Sequence, residues 1–127
     1  MIDEKYIAYC AGLFEGEGNI QFVEEKGIKY NKRRIALRIN MTDLSPLEMF
    51  QDLIERGVIY GPYNTGKGYK SFWTFQVANY ADVKYIADLL YAWLSPRRQK
   101  QIDEALSKYR EWEELYKDRH FKIDTSE

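Results

Sequence analysis

Two acidic residues set between glycines are the best candidates for chemistry in this sequence. Glu15 and Glu17 alternate with Gly16 and Gly18. Hard cations such as Mg²⁺ bind carboxylate oxygens and keep several of their waters, so one or two carboxylates suffice to hold one. A cation held in this way lowers the pKa of a bound water and offsets the charge that develops when a phosphodiester is hydrolysed. The acids therefore predict a metal site; the alternative for Glu17 is a solvated turn residue.

The residues before the acids predict a helix over about residues 4–15, with a stripe of small side chains. Ala8, Gly12 and Gly16 are spaced four residues apart and therefore share one helix face. Such a stripe allows another backbone to approach closely. We expect this helix to stop at the glycines, with Gly18 in a left-handed conformation and the acids at its tip.

The rest of the chain predicts two pairs of strands and three further helices. Polar and apolar residues alternate most clearly in the second strand, where one face is apolar and the other is polar and cationic. Ser45 is the expected N-cap of the second helix, with Pro46 in its first position and its end at Gly57, and Ser95-Pro96 opens the last helix. The predicted strands are 19–25, 34–41, 58–63 and 69–79, and the last two helices are 81–94 and 97–117.

Length and composition indicate a single domain, and the cysteine content indicates a protein of a reducing compartment. A chain of 127 residues with 45% hydrophobic content can bury a core. Cys10 is the only cysteine, which excludes an intrachain disulfide, and we expect a packed thiol. The start has no signal-peptide pattern and no stretch reaches membrane-spanning length, so we expect an intracellular protein, in a prokaryotic or phage-host cytoplasm or in an organelle. One cysteine and His120 cannot form a zinc set.

The charge distribution permits binding to nucleic acid. The formal net charge is −1, but residues 103–127 hold eight acidic and five basic residues. Residues 1–102 therefore carry fourteen basic residues against twelve acidic ones. The acidic end of the chain masks a moderately basic body.

The segment from Cys10 to Gly18, CAGLFEGEG, resembles the nine-residue signature of the LAGLIDADG homing endonucleases, with Glu in place of both Asp residues. The identical positions are Ala11, Gly12, Leu13 and Gly18. The resemblance implies an α+β fold of order αββαββα, in which a four-stranded antiparallel, saddle-like sheet packs under helices, followed by a C-terminal helix. It covers a core of about residues 4–110 and leaves a polar tail of about 111–127, all in one domain.

A single signature implies a homodimer, because family members with two signatures are pseudo-symmetric monomers. The helices of the signature would then pack together, with the interface residues Ala8, Ala11, Gly12 and Gly16. The resemblance implies that Glu17 binds the metal near the two-fold axis, with the Gly16 carbonyl as a further ligand, while Glu15 buttresses the helix junction. The implied cofactor is Mg²⁺, with Mn²⁺ tolerated and Ca²⁺ bound without supporting efficient cleavage.

Three further residues are candidates for catalysis through the same resemblance. Asp43 follows the second strand, where the family places a polar residue near the metal-bound water; the alternative is a helix-start residue beside Ser45. Arg98 matches the position of a basic residue, often lysine, near the scissile phosphate, and Lys100 could replace it. The alternative for both cations is a solvated helix start.

Polar residues on the strands predict a DNA-reading surface. A twisted antiparallel ribbon fits the major groove, where Arg reads guanine and Asn reads adenine by paired hydrogen bonds. The residues expected to read bases are Gln21, Arg34, Arg38, Asn40, Lys70, Thr74 and Gln76. Other basic residues, in loops or beside these elements, are expected to bind DNA mainly through phosphates: Lys26, Lys29, Lys32, Arg33, Lys67 and Arg97.

These features predict a site-specific double-strand DNA endonuclease of the homing type, associated with intron or intein mobility. It would act as a homodimer on a long, nearly palindromic site. The alternative is a maturase-like protein of the same fold that binds DNA or intron RNA without cutting, and only then is RNA a partner. A third interpretation, a structural dimer associating through the glycine-rich helix, predicts no nucleic-acid binding even at low salt.

Overall fold

Four antiparallel strands form one sheet in the order β1-β2-β4-β3, and four helices pack against it. The structure is a computed structural model that describes residues 2–25 and 32–126. The elements in chain order are α1 (Glu4–Glu17), β1 (Gly18–Glu25), β2 (Lys32–Met41), α2 (Leu44–Ile54), β3 (Val58–Tyr63), β4 (Phe72–Val77), α3 (Tyr80–Leu90), a 3₁₀ turn (Tyr91–Trp93) and α4 (Pro96–Ser126). The predicted α+β class, element order and antiparallel sheet are confirmed. Among the described residues, no helix is both long enough and apolar enough to cross a membrane.

The core lies between one face of the sheet and the helices. Ile35, Leu37 and Ile39 alternate along β2 and are fully buried, because the period of a strand sends every second side chain to the same face. Phe50 of α2 packs edge-to-face on Phe75 of β4, with ring centroids 4.9 Å apart. Both α3 and α4 pack against β2, and α4 also packs against β1. The opposite face of the sheet carries the polar members of the alternation.

The end of α1 differs from the prediction. The helix continues to Glu17, and β1 begins at the next residue. Gly18 has φ −83° and ψ 163°, so the expected left-handed conformation is wrong: the chain passes directly from helix to strand and needs extended backbone here. Glycine is required for another reason. A Cβ atom on Gly18 would lie 2.1 Å from Cδ1 of the buried Phe14.

The start of α2 also differs. Asp43 is the N-cap, and its Oδ1 accepts a hydrogen bond of 3.2 Å from the backbone N–H of Ser45. The helix then begins at Leu44, so the prediction of a Ser45 cap is wrong. Both residue types are good caps, and here the Asp43 carboxylate binds the backbone N–H of Ser45, which is already the second residue of the helix. The helix ends at Ile54, before Gly57, because Glu55 adopts a left-handed φ of 60°.

The second half of the chain keeps the expected order with shifted boundaries. β4 covers only Phe72–Val77, because the residues before it belong to a turn and Asn79 after it caps α3. The cap is a hydrogen bond of 2.8 Å from the Asp82 backbone N–H to Asn79 Oδ1. α3 stops at Leu90, earlier than predicted, and a 3₁₀ turn leads to α4. α4 extends to Ser126, beyond the predicted end near residue 117.

Cys10 should react very slowly in the folded protein. The residue is 1% exposed, and burial raises the pKa of its thiol from the ordinary 9.0 to about 11. Only the thiolate is nucleophilic, so this change alone lowers the reactive fraction near pH 8 by about a hundredfold. As the pH rises above 9.0, the unfolded chain loses its thiol proton first, so Cys10 then favours unfolding. The rate of Cys10 alkylation, followed by mass spectrometry, checks the predicted slow reaction. An alkylation rate equal to that of denatured protein would contradict the burial of the thiol.

Candidate nucleic-acid interface and active site

Glu17 lies at the corner where α1 meets the sheet. It is the last residue of α1 and is exposed. Together with residues at the end of β2 and the start of β4, it lines an open cavity of about 210 Å³. The other lining residues are Asn40, Met41, Thr42 and Phe72. The carboxylate therefore shares a solvent-accessible space with an amide and a hydroxyl group, all of them hard oxygen donors.

A single chain offers only part of a metal site here. In residues 2–25 and 32–126, no group of three or more His, Cys, Asp or Glu side chains is arranged to hold a metal ion. Mg²⁺ is typically held by one or two carboxylates, with waters and substrate phosphates supplying its other ligands. Glu17 in an open, polar cavity fits that requirement. It does not fit a cation that needs a closed cage of protein ligands.

The second acid of the motif, Glu15, faces α4. Its Oε1 accepts a hydrogen bond of 2.7 Å from the backbone N–H of Ser95, and its Oε2 accepts one of 2.8 Å from the Ser95 hydroxyl. The Ser95 backbone N–H is the main reason that the pKa of Glu15 is lowered; the Ser95 hydroxyl, Arg98 and Arg97 add to the effect. This geometry is the expected buttress of the helix junction.

Arg98 is buried between the end of α1 and the start of α4. The residue is only 8% exposed. Its Nε donates to the backbone oxygen of Glu15 at 3.1 Å, and its Nη1 donates to Gln101 Oε1 at 2.9 Å. The guanidinium also lies 5.6 Å from the ring centroid of Phe14. This position gives no support to the expectation that Arg98 contacts a scissile phosphate, because Nε and Nη1 of its guanidinium are bound within its own chain. Lys100 and Arg97 are exposed on the first turns of α4.

Asp43 takes the role that was the alternative to catalysis. Its carboxylate caps α2 through the Ser45 backbone N–H. Asp43 does not line the cavity beside Glu17, whereas its neighbour Thr42 does. Sequence reasoning missed Thr42, because only the pairing of β1 with β2, which puts Gly18 opposite Ile39, shows that the chain leaves β2 beside the end of α1.

The polar residues of β2 and β4 form matched pairs on the open face of the sheet. Arg38 lies opposite Gln76, and its Nε donates to Gln76 Oε1 at 2.7 Å. Asn40 lies opposite Thr74, whose hydroxyl donates to Asn40 Oδ1 at 2.7 Å. Phe75, between the two β4 residues, is fully buried, which fixes the phase of β4 that the sequence left ambiguous. Four of the predicted base-reading residues thus share one surface.

The remaining predicted contacts divide into three groups. Gln21 and Arg34 are exposed on the same open face. Lys67 and Lys70 are exposed in the loop before β4, so the prediction that Lys70 lies on the fourth strand is wrong. Lys26 and Lys29 lie outside the described residues, and Lys32 is the first residue of β2. The third group is a single residue, Arg33, and its place is a correction.

Arg33 lies on the helix side of the sheet. Its Nη2 donates to Glu24 Oε1 at 2.9 Å, and its guanidinium lies 6.0 Å from the ring centroid of Trp112 in α4. This position gives no support to the predicted contact of Arg33 with DNA, because neighbouring residues of a strand point to opposite faces and Arg34 takes the open one. The alternation of apolar and polar residues along β2 already indicated that Arg33 lies on the same face as the apolar Ile35.

The edge strand β3 adds exposed apolar side chains to the open face. Val58 lies opposite Gln76, and Tyr60 lies opposite Thr74; both are exposed. Tyr63, opposite Phe72, continues the row with ring centroids 5.5 Å apart. Sequence reasoning did not single out these residues. The alternation of Val58 and Tyr60 with the half-buried Ile59 was the available signal.

The small residues of α1 do not all face the same way. Gly12 and Gly16 are exposed, and apart from the adjacent residues and the local helix backbone no described atom lies within 4 Å of a Cβ atom built on either. Ala8 is half-buried. Ala11 is 1% exposed and belongs to the core of its own chain. The prediction that Ala11 contacts a second copy is therefore wrong, whereas the two glycines leave an open strip on the helix.

Comparisons with known proteins show the fold and little sequence similarity. No protein-family model matches this sequence, and no curated protein matches it. The homing endonuclease I-CvuI, in complex with its target in the presence of Ca, aligns with a TM-score of 0.69 and 17% identity over 82% of this chain and 65% of that chain. The group I intron-encoded homing endonuclease I-CeuI, complexed with DNA, aligns with a TM-score of 0.67 and 13% identity over 96% and 60%. The LAGLIDADG homing endonuclease I-GzeII, in complex with a DNA target, aligns with a TM-score of 0.67 and 19% identity over 91% of this chain and 38% of that chain. This chain therefore spans less than two thirds of each of them and has their fold.

Proposed function

We propose that this chain, which has the fold of the LAGLIDADG homing endonucleases, is itself a member of that family: a homodimeric, divalent-metal-dependent endonuclease that cuts double-stranded DNA at a specific site. The observation that carries the proposal is the position of Glu17. The exposed carboxylate lines the same open cavity as Asn40. Asn40 is paired with Thr74 on the open face of the sheet. A DNA duplex on that face would lie beside the acid. Structures with this fold include complexes with DNA.

The open face has the chemistry needed to read bases. Arg38 uses one of its five guanidinium donors on Gln76, so the others can pair with guanine. Asn40 and Thr74 present an amide and a hydroxyl in register one pair further along the strands. These two pairs of polar residues lie on the adjacent antiparallel strands β2 and β4. The major groove of DNA admits a two-stranded β-ribbon of this kind. The exposed Lys67 and Lys70 are placed to contact phosphates, which add affinity and little specificity.

For the reaction, Glu17 would hold the cation, with the Gly16 carbonyl as a further ligand. When bound, a divalent cation supplies an ionised water and offsets charge at the phosphate. Mg²⁺ is the proposed cofactor, with Mn²⁺ tolerated and Ca²⁺ bound without efficient cleavage. Asn40 and Thr42, on the same cavity as Glu17, are able to orient water by hydrogen bonds. Buried Phe14 on the preceding turn fixes the helix that carries the acid.

The proposed dimer follows from the number of acids. One chain offers one exposed carboxylate at the end of α1, whereas a double-strand cut requires chemistry on both strands. Two copies packed through the open strip at Gly12 and Gly16 would place their Glu17 residues close to the two-fold axis. A two-fold symmetric protein would favour a nearly palindromic site.

Substituting Gly12 by leucine should weaken this association. Gly12 is exposed, and a Cβ atom built on it lies within 4 Å of no described atom outside the local helix backbone and the adjacent residues, so the monomer should fold, while a helix packed against the strip would clash with the new side chain. Overpacking of this kind costs about 1–3 kcal/mol, which weakens the dimer by about 5–160-fold. Sedimentation velocity over a concentration series measures the change. Ala81→Leu, on an exposed site of α3, is the matched control; equal association of both variants would argue against this interface.

A second candidate function is binding of DNA or structured intron RNA without cleavage. The specific observation in its favour is that two of the predicted catalytic side chains form hydrogen bonds with the backbone of their own chain. Asp43 caps α2, and Arg98 pairs with the end of α1. Exposed Lys100 is then the remaining cation among the predicted catalytic residues.

A cleavage selection separates the two functions. Purified protein is incubated with a randomised double-stranded DNA library in Mg²⁺, with EDTA as the control, and the cut ends are sequenced. The endonuclease predicts cut ends that share a two-fold symmetric sequence and depend on Mg²⁺. Retention of a DNA or RNA motif without cut ends in Mg²⁺ would reject cleavage and support the binding protein.

A further inference from the structure

The contacts of Arg98 concentrate at the junction of α1 and α4. Ser95 is the residue before α4, and its hydroxyl accepts a hydrogen bond of 3.3 Å from the Arg98 backbone N–H. The same hydroxyl donates to Glu15 Oε2 at 2.8 Å. The Arg98 side chain then returns to α1 and donates to the Glu15 backbone oxygen at 3.1 Å. Backbone and side chain of Glu15 are thus both bound from α4. We call this set, Glu15, Ser95 and Arg98, the junction clamp.

The clamp acts on the last turn of α1. The final four carbonyls of a helix have no partner within the helix, so that turn frays unless other groups bind it. Here the Phe14 carbonyl accepts from the Gly18 N–H, and the next carbonyl, that of Glu15, accepts from Arg98. Glu17 is two residues beyond the clamped carbonyl. A turn fixed in this way restricts the directions that the Glu17 carboxylate can take.

We propose that Arg98 is a positioning residue, which fixes the end of α1 and thereby the direction of Glu17, and that it does not touch the DNA as a cation. The inference rests on the proposed function of Glu17. Its support is the 8% exposure of Arg98 and the two acceptors that its Nε and Nη1 atoms bind. The planar guanidinium holds two donors at fixed directions, which the single ammonium of a lysine does not reproduce.

The choice between the two roles can be made with Arg98→Lys. Lysine retains the positive charge, so a role as a catalytic cation predicts cleavage near the original rate. A positioning role predicts a loss of about a hundredfold in single-turnover rate, the scale expected for misplacing a reacting group by about 1 Å. DNA affinity measured in EDTA should change by less than about threefold, since the open sheet face is untouched. The Mg²⁺ concentration for half-maximal cleavage should rise by about tenfold or more, as for other losses of support around a metal ligand.

Arg56→Lys is the matched control. Arg56 also has structural partners: its Nε pairs with Asp82 at 3.1 Å, and its guanidinium lies 3.5 Å from the ring centroid of Tyr85. It belongs to the loop after α2 and has no part in the clamp. The substitution should lower the unfolding temperature and leave the Mg²⁺ requirement unchanged. A similar shift of the Mg²⁺ requirement in both variants would overturn the specific role of Arg98.

A second readout is independent of cleavage. The Gly18 N–H donates to the Phe14 carbonyl, so its hydrogen exchange reports the order of the last turn of α1. Exchange at Gly18 should be about tenfold faster or more in Arg98→Lys than in Arg56→Lys, with the other helices equally protected. If Arg98→Lys does not fold, Ser95→Ala, which removes the hydroxyl bond to Glu15, is measured in the same way.

The outcomes separate this inference from the proposed function. Absence of cleavage by the unmodified protein rejects the endonuclease, and exchange at Gly18 then still decides whether Arg98 orders the end of α1. Unchanged exchange at Gly18 in the folded variant, or an unchanged cleavage rate in Arg98→Lys, overturns the positioning role. Faster exchange together with slow cleavage at unchanged DNA affinity supports it.

Discussion

Glu17→Gln should abolish DNA cleavage and leave DNA binding intact. The amide is a weaker ligand for a hard cation than the carboxylate, and it removes the negative charge at the end of α1. A metal contributes several kcal/mol of charge stabilisation, so we expect the cleavage rate to fall by at least about a thousandfold. Single-turnover cleavage of the selected site in saturating Mg²⁺ measures the rate, and gel-shift titration in EDTA measures affinity. Because Glu17 is exposed, the fold should tolerate the change.

Glu4→Gln is the control for this substitution. Glu4 is an exposed acid in the first turn of the same helix, far from the cavity that Glu17 lines. It should cleave at the original rate. Full activity of Glu17→Gln would remove Glu17 from the reaction and, with it, the main support for the proposed metal site.

Gly18→Ala should destabilise the protein by about 3 kcal/mol, at the upper end of the range for overpacking a core. The backbone of Gly18 has an ordinary extended conformation, so its φ angle carries no cost for alanine. The cost is steric, since the methyl group would lie 2.1 Å from Cδ1 and 2.5 Å from Cε1 of Phe14. Phe14 is buried and has little room to move. Urea unfolding followed by circular dichroism gives the difference in free energy.

A double-mutant cycle with Phe14→Leu tests the steric explanation. Leucine removes the ring that the new methyl group would meet, so Gly18→Ala should cost much less in the Phe14→Leu background. Residues in contact commonly show interaction energies of about 0.5–3 kcal/mol in such cycles. Costs that simply add would show that Gly18 is needed for a reason other than its approach to Phe14.

Residues close in sequence could be predicted well, because helices, strands and caps depend on local spacing. The alternation in β2 predicted a sheet with one buried and one polar face, and Ile35, Leu37 and Ile39 are buried as that pattern requires. The acids and glycines at the end of the first helix predicted where that helix ends to within two residues. The order of elements followed from the same local signals. These parts of the fold were determined by the sequence alone.

The directions of individual polar side chains were decided by contacts between distant parts of the chain. Glu15 and Ser95 are 80 residues apart in sequence, and their hydrogen bonds turn one acid of the motif away from the site. Arg98 occupies the position in the sequence where a catalytic cation was expected. In the structure its side chain is buried and bonded to the Glu15 carbonyl, 83 residues away. Spacing along one element gives the face on which a residue lies. It does not give the partner on that face, because the partner comes from another element and only tertiary packing brings the two together.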